Sequence, residues 1–404
     1  MGGRVSEPWL TLVGIGEDGR ASLSPAALSA LAQAALVVGG RRHLALAAPL
    51  AAETLPWSSP MEDTYPAILA RRGTPVAVLA SGDPYHYGVG ATLARLVAED
   101  EMRCFPQPSA FALATARLGW AFQDCAALSL CGRPIETLVP ALQPGARVLA
   151  LSADAATPGA VAALLGRRGI GASRIIVLEA MGGPRERIRA ARADGFDIAD
   201  IDALNTLAIE VAGQGDALSL LPGRPDALFE HDGQITKADV RAATLARLAP
   251  RRGELLWDVG AGSGSVAVEW MLAHPANRAV AVERHPERAV RIRRNAAALG
   301  VPGLAVAEGA APAALAGLPA PDAVFVGGGA TGAGVLDACA AALGPGGRLV
   351  VNAVTIETQA ALIERFRSVG GALTTLGTAQ ADPVGGFHGW RPAMPVTIWS
   401  WVKP

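Results

Sequence analysis

Lysine is nearly missing from this chain: of 35 basic residues only Lys237 and Lys403 are lysine, and 36 acidic residues bring the net charge to −1. Residues 1–213 carry 18 basic and 20 acidic groups, and residues 214–404 carry 17 and 16, so neither half has the basic excess that a nucleic-acid surface requires. Cysteine is scarce too. Cys104, Cys125, Cys131 and Cys339 have no metal-ligand spacing and no disulfide framework, so no metal site is expected and a reducing, cytoplasmic setting is. No apolar run reaches the length a bilayer needs; the Ala/Leu-rich stretch 26–38 is broken by Ser29 and Gln33 and reads as a buried helix followed by a strand. The N-terminus lacks the basic-then-apolar layout of a signal peptide. These absences argue against a nucleic-acid partner, a membrane protein and a stapled secreted domain. What remains is a 404-residue chain, 51% hydrophobic, with material for two or three domains.

One stretch carries most of the information. Leu255-Leu256-Trp257-Asp258-Val259 reads as an apolar strand, Gly260-Ala261-Gly262-Ser263-Gly264 as a glycine-rich turn, and Val266, Val268, Trp270 and Met271 as the helix that follows. Such a turn aims backbone N–H groups and the positive end of a helix dipole at whatever sits above the strand end. The alternate glycines let a ligand touch the backbone. One strand later, Ala279-Val280-Ala281-Val282 ends in Glu283, whose carboxylate can accept both hydroxyls of a ribose. The place of the third glycine in a dinucleotide fingerprint is taken by Ser265, which disfavours a nicotinamide dehydrogenase.

Both halves alternate short apolar runs with Ala/Leu-rich helical segments, which predicts α/β domains with mainly parallel sheets. The boundary is expected within 214–233, a Gly-, Pro- and Asp-rich linker, giving domains 1–213 and 234–404. In the second half a helix over 236–248, capped by Thr236, precedes strands near 255–259, 279–283, 304–307, 322–326, 348–353, 373–379 and 394–402, the last two pairing antiparallel. The first half opens with Trp9-Leu10-Thr11-Leu12-Val13-Gly14-Ile15-Gly16, continues with Val76–Ala80 into Ser81-Gly82-Asp83-Pro84, and later presents Pro108-Ser109, Met181-Gly182-Gly183 and Leu204-Asn205-Thr206. Strand ends rich in Gly, Asp and Ser predict a second ligand crevice there.

The glycine turn with its acid-tipped next strand resembles motif I of the class I methyltransferases, a Rossmann-like fold with a seven-stranded sheet that binds S-adenosylmethionine. Together with Gln234-Ile235-Thr236-Lys237, Phe325-Val326-Gly327-Gly328-Gly329 and Pro395-Val396-Thr397-Ile398, it resembles the decarboxylating precorrin methyltransferases. The ordered motifs of residues 8–212 resemble the tetrapyrrole methylases, a different two-lobed fold that also binds S-adenosylmethionine. One departure stands out: Glu17 follows Gly16 where that family often has proline. The two resemblances imply one cofactor site per domain. In the first it is formed by Gly14, Gly16, Leu79, Gly82 and Asp83, with Ser109, Met181 and Leu204. In the second the backbone of Gly260, Ala261, Gly262, Ser263 and Gly264 faces the methionine part, Glu283 takes the ribose, Ala310 lies by the adenine, and Thr236 contacts the cofactor. They further imply methylation of a tetrapyrrole (precorrin) at C5 by the first domain, and C15 methylation with loss of CO2 from the C12 acetate by the second, in corrin (cobalamin) biosynthesis. A homo-oligomer assembled through edge strands is expected. Two other readings stay open: a methyltransferase acting on another small molecule, and a first domain that only binds the tetrapyrrole.

The residues bear on the chemistry as well. Gly327-Gly328-Gly329-Ala330 stands where methyltransferases acting on nitrogen usually carry an Asn/Asp-Pro-Pro-aromatic motif, and it leaves room for a broad flat substrate. The substrate's carboxylates call for arginine forks. Arg241 and His388 are the catalytic candidates, with Arg251, Arg252 and Arg391 as further partners for carboxylate and His86 as the corresponding histidine of the first half.

Overall fold

A computed structural model describes residues 8–404, which divide into two compact units. One comprises the chain up to Ile135 together with Gln143–Asp216; the other comprises Glu136–Leu142 together with Ala217–Pro404.

The first unit holds two five-stranded sheets. Strands β1 (Leu10–Ile15), β2 (Leu36–Gly39), β3 (Glu53–Pro56), β4 (Val76–Ser81) and β5 (Met102–Phe105) form an all-parallel sheet in the order β3-β2-β4-β1-β5. Strand β1 is buried along its length and β4 up to Ala80, which is why they read as unbroken apolar runs. The stretch 26–38 is the helix Pro25–Gln33 followed by β2, as its broken apolar pattern predicts. The chain leaves β1 toward β2 on one side and leaves β4 toward β5 on the other. These neighbouring strands send their connections in opposite directions, each across the other strand, and their carboxyl ends bring Gly14 and Gly82 together.

The second sheet corrects the expectation of mainly parallel strands. Strands β6 (Cys125–Ser129), β7 (Arg147–Leu151), β8 (Arg174–Glu179), β9 (Arg187–Arg192) and β10 (Asn205–Glu210) run in the order β6-β7-β10-β8-β9, and only β6 and β7 are parallel. The turn from β8 to β9 is too short for a crossover helix, so that pair must be antiparallel.

The second unit has seven strands in one sheet: β11 (Leu255–Val259), β12 (Arg278–Glu283), β13 (Ala305–Glu308), β14 (Ala323–Val326), β15 (Arg348–Ala353), β16 (Ala372–Leu376) and, after a hairpin formed by β17 (Ala379–Val384) and β18 (Phe387–Pro392), β19 (Val396–Val402). The order is β13-β12-β11-β14-β15-β19-β16, with β19 antiparallel to both neighbours. This is the class I methyltransferase sheet. The diverging connections here leave from β11 and β14, so the crevice lies at their carboxyl ends. The β17–β18 hairpin went unseen in the sequence because its strands are mostly exposed on both faces and show no period-2 alternation. The segment expected as a linker has the short turn Asp226–Leu228, and its Gly223 and Arg224 N–H groups donate to Glu269 (2.7 and 2.9 Å).

Gly264 closes the turn after β11 at φ +75°, and a Cβ there would lie 2.8 Å from Ile292 on the helix after β12. Gly264→Ala is therefore expected to cost on the order of 2 kcal/mol, from a left-handed residue and an overpacked contact, read as a lower urea midpoint with an unchanged slope.

Candidate functional site

The crevice at the ends of β11 and β14 contains a cavity of about 700 Å³. Its floor is backbone. Gly260 has φ +70° and approaches the next loop so closely that a Cβ would lie 2.7 Å from the Gly328 carbonyl oxygen; Gly262 has φ +60° and faces Gln234. Both positions require glycine for conformation and for space. Of the residues expected to hold a cofactor here, Thr236, Gly260, Ala261, Gly262, Glu283 and Ala310 line the cavity. Ser263 and Gly264 do not. The Ser263 carbonyl accepts a hydrogen bond from Asn295, and Gly264 packs on Ile292, so these two shape the turn from behind.

Glu283 is buried. Its Oε2 accepts from the Gly262 N–H (2.9 Å) and its Oε1 from the His285 N–H (3.0 Å), which leaves each oxygen a lone pair for a ligand hydroxyl. Behind it, in the middle of β11, stands Asp258, which the sequence reading passed over although an acid inside an apolar strand was the signal. Its Oδ2 accepts from the Ala267 N–H (3.0 Å), and its Oδ1 is buried without a hydrogen-bond partner. Burial pushes the Asp258 carboxyl up to about 7, with the nearby Glu283 charge adding to the rise and the Ala267 N–H opposing it.

Three structural findings correct the expectations. Thr236 is not the helix cap: the helix spans Ala238–Leu248, Lys237 is at the N-cap, and no side chain caps it. Thr236 instead lines the cavity, its carbonyl accepting from Arg241. Arg241 is not available to a substrate. It is fully buried, with Nε on Glu269 (2.9 Å), Nη1 on Asp226 (3.2 Å) and the Thr236 carbonyl, Nη2 on the Arg224 carbonyl, and its guanidinium over the Phe229 ring (4.8 Å). It ties the chain before the helix into place and thereby positions the Thr236 rim. His388 lies on β18 opposite Pro383, exposed and away from the cavity, because its strand belongs to the outlying hairpin; the cavity wall resumes only at Ala393, Met394 and Val396. Arg391 pairs with Asp382 on the same hairpin (2.9 Å).

The cations that do line the cavity are Lys237, Arg284 and Arg288. Arg284 and Arg288 sit four residues apart just after Glu283, a spacing that was legible in the sequence. Arg288 is held by Asp232 (2.8 Å) and Lys237 by Asp226 (3.4 Å). Phe325, the glycines 327–329, Asn352 and Val354 complete the side under β14 and β15.

In the first unit a similar close approach occurs. A Cβ on Gly14 in β1 would lie 1.9 Å from the Gly82 carbonyl oxygen, and one on Gly82 (φ +53°) 2.7 Å from the Pro108 carbonyl oxygen. Gly14, Gly82 and Ser109 therefore meet, Ser109 capping the helix Ala110–Leu118 by accepting from the Ala112 N–H (3.2 Å). Asp83 accepts from the Tyr85 N–H (2.8 Å), and His86 stands 4.0 Å from its carboxylate. Leu79 is fully buried within β4, its side chain against Gly39, so that side chain is closed to a ligand. Leu204 accepts through its carbonyl from the N–H of Ala180 (2.9 Å), the residue before buried Met181. The turn after Met181 reaches the one after Gly16: a Cβ on Gly183 would lie 2.6 Å from the Glu17 Cβ.

The comparisons with known proteins now decide the family. Residues 9–196 match the profile described as Tetrapyrrole (Corrin/Porphyrin) Methylases, and residues 227–403 the profile described as Precorrin methyltransferase domain. A protein of a Sinorhizobium species named precorrin-6Y C(5,15)-methyltransferase (decarboxylating) is 55% identical over 402 residues, covering 99% of this chain and 97% of its own. A Mycobacterium tuberculosis protein of the same name is 44% identical over 404 residues, covering 98% and 100%. The chain belongs to the precorrin-6Y C(5,15)-methyltransferase (decarboxylating) family. A Salmonella typhimurium protein named cobalt-precorrin-6B C(15)-methyltransferase (decarboxylating) is 32% identical over 168 residues, which cover 41% of this chain and 86% of that one. Among the described residues there is no cluster of His, Cys, Asp and Glu that could hold a metal, and no helix is long and apolar enough to cross a membrane.

Two outcomes follow from the buried charges. Asp258 has a raised folded-state pKa, so its contribution to stability is full below the unfolded value near 4 and is lost as pH rises through about 7. Asp258→Asn keeps the acceptor for Ala267, and its stability relative to the parent is expected to improve between those limits, as chemical denaturation across that pH range would read. Arg241→Ala removes the nearest cation from buried Glu269, leaving it the Gly223 and Arg224 N–H groups and the Arg224 guanidinium at 3.8 Å; it is expected to cost about 3 kcal/mol in urea melts, whereas Arg251→Ala at an exposed turn is expected to change little.

Proposed function

We propose that this chain is a bifunctional S-adenosylmethionine-dependent methyltransferase of corrin synthesis. It methylates precorrin-6Y at C5 and C15 and removes CO2 from the C12 acetate. The observation that carries the reading is the pair of close glycine contacts, one at the ends of β1 and β4 and one at the ends of β11 and β14 flooring the cavity there, in a chain that full-length relatives of that name match end to end. The Salmonella relative, named for C15 and decarboxylation alone and matching two fifths of the chain, supports a division of labour, with C5 methylation in the first unit and the other two steps in the second. The intact Gly14–Gly82 contact favours a working first unit over a mere binding module.

The second cavity fits the cofactor by its own chemistry: bare backbone at Gly260 and Gly262, a buried carboxylate with spare lone pairs at Glu283, and room for a nucleoside plus a flat substrate. When bound, S-adenosylmethionine supplies a methyl group already activated on a sulfonium. The protein's share is alignment and exclusion of water. Glu283 would hold the ribose and the Ala310 backbone the adenine edge, and Thr236 would close the rim. Lys237, Arg284 and Arg288 form the cationic wall that suits carboxylates. The glycines at 327–329 leave the space over β14 open to a macrocycle. The conjugated ring can act as its own electron sink for decarboxylation, so the protein need only orient and shield the acetate. One cofactor per unit, a cytoplasmic setting and assembly into a homo-oligomer belong to the same reading.

Mass spectrometry tests it. The whole chain with S-adenosylmethionine and precorrin-6Y is expected to give a product with two added methyl groups and one CO2 lost. Glu283→Ala is expected to weaken cofactor binding in the second unit about tenfold or more, since a hydrogen bond to a charged group contributes about 1.5–3 kcal/mol, and to yield the C5-methylated product with its acetate intact. Undiminished C15 methylation in that variant would sink the assignment of the second site.

A further inference from the structure

The sequence departs from the tetrapyrrole methylase pattern at Glu17, and the structure joins that residue to a polar chain at the mouth of the first crevice. Glu17 pairs with Arg42 and lies 3.5 Å from Arg185, which also pairs with Asp202. Arg42 donates through Nη2 to the Ser81 hydroxyl (2.8 Å) and stands 2.9 Å from His43 Nε2; Ser81 Oγ and His43 Nε2 are 2.8 Å apart. Ser81 ends β4 immediately before Gly82 and Asp83, and it is exposed.

The proton positions follow from valence. A guanidinium only donates, so His43 Nε2 presents its lone pair and the ring proton is on Nδ1. Ser81 Oγ accepts from Arg42, so the serine proton shares the single Nε2 lone pair with the Arg42 N–H, and the remaining Ser81 lone pair is open at the exposed end of β4. His43 Nδ1 is buried with no hydrogen-bond partner, at a cost that packing alone does not explain. Burial first, and the Arg42 charge second, lower the His43 imidazole to about 4, so it is neutral in the working range and takes a proton only from a strong acid such as the cation left by methyl transfer.

We propose that Ser81 and His43 are the proton-accepting pair for methylation in the first unit. The inference rests on the reading of that unit as the C5 methyltransferase. Methylating a ring carbon that bears hydrogen requires that hydrogen to leave. The carbon's π pair forms the new C–C bond, and the methyl–sulfur bond breaks with its pair left on sulfur. The C–H pair then returns to the ring. Its proton passes to Ser81 Oγ as the serine proton moves to His43 Nε2. Arg42, fixed by Glu17, holds the pair in register and disfavours an imidazolium, so the proton moves on to solvent. Glu17 and Arg42 are positioning residues in this scheme.

Two measurements on the full chain test it. Histidine-selective ¹⁵N NMR is expected to show His43 neutral and protonated on Nδ1 throughout the neutral range; a proton on Nε2 would overturn the proposal without reference to activity. His43→Ala is expected to lower C5 methylation of precorrin-6Y about 100-fold, with partial restoration by added imidazole, unchanged S-adenosylmethionine stoichiometry, and unchanged C15 methylation and CO2 loss. Ser81→Ala, at an exposed position where folding is not at risk, is expected to lose C5 methylation without imidazole rescue. Parent-like C5 methylation in both variants refutes the pair, as does a loss in His43→Ala that imidazole does not relieve. A parent chain that adds no methyl at C5 defeats the functional reading, and this proposal with it.

Discussion

The contact on which both sites depend is an approach of one backbone to another with no side chain between them. Gly260 meets Gly328 at the ends of β11 and β14, and Gly14 meets Gly82 at the ends of β1 and β4. Each pair stands where neighbouring parallel strands send their connections in opposite directions. A Cβ at either position would lie under 3 Å from a carbonyl oxygen, so a side chain there forces the two loops apart and fills the floor of the crevice. Two sheets of different topology share this feature, and bare backbone of this kind offers donors that are rigid and need no rotamer to be fixed.

Around that floor the second unit keeps charge where charge is expensive. Arg241 and Glu269 are both buried, and together they hold the Gly223, Arg224 and Thr236 backbone. A pair of this kind adds little net stability over an apolar substitute, yet removing one partner is costly. Its value here is geometric: it fixes a stretch without regular structure against the cavity rim. Asp258 and Glu283 are a second case, in which two carboxylates lie close and burial favours protonation of the deeper one.

The division of labour proposed for the two units matches what each presents. The second offers cations and small residues over a roomy cavity, which suits holding carboxylates beside a reacting acetate. The first offers a hydroxyl, an imidazole and a guanidinium in one hydrogen-bonded chain, which suits moving a proton. Neither needs a nucleophile or a metal, because the methyl donor arrives activated and the macrocycle can take up electrons itself.

Much of this was legible in residue order. Strand β11, its glycine turn and Glu283 announced themselves because a parallel, buried strand is a continuous apolar run and because alternate glycines have few purely structural uses. Periodicity was a poorer guide wherever pairing depends on distant partners: it did not reveal that the second sheet is mostly antiparallel, nor that β17 and β18 form an outlying hairpin that carries His388 away from the cavity. Side-chain roles were least legible. An arginine in a helix reads the same whether it faces water or is buried on Glu269, and Arg241 proved to be the latter. Glu17, His43 and Ser81 are separated by tens of residues, and only the strand order β3-β2-β4-β1-β5 brings them together. The sequence by itself determined the two α/β halves, the glycines at the strand ends and the acid that lines the second cavity, since these depend on local backbone conformation. Only the tertiary structure decided which polar groups are buried, paired or open to a ligand, because that depends on neighbours distant in the chain.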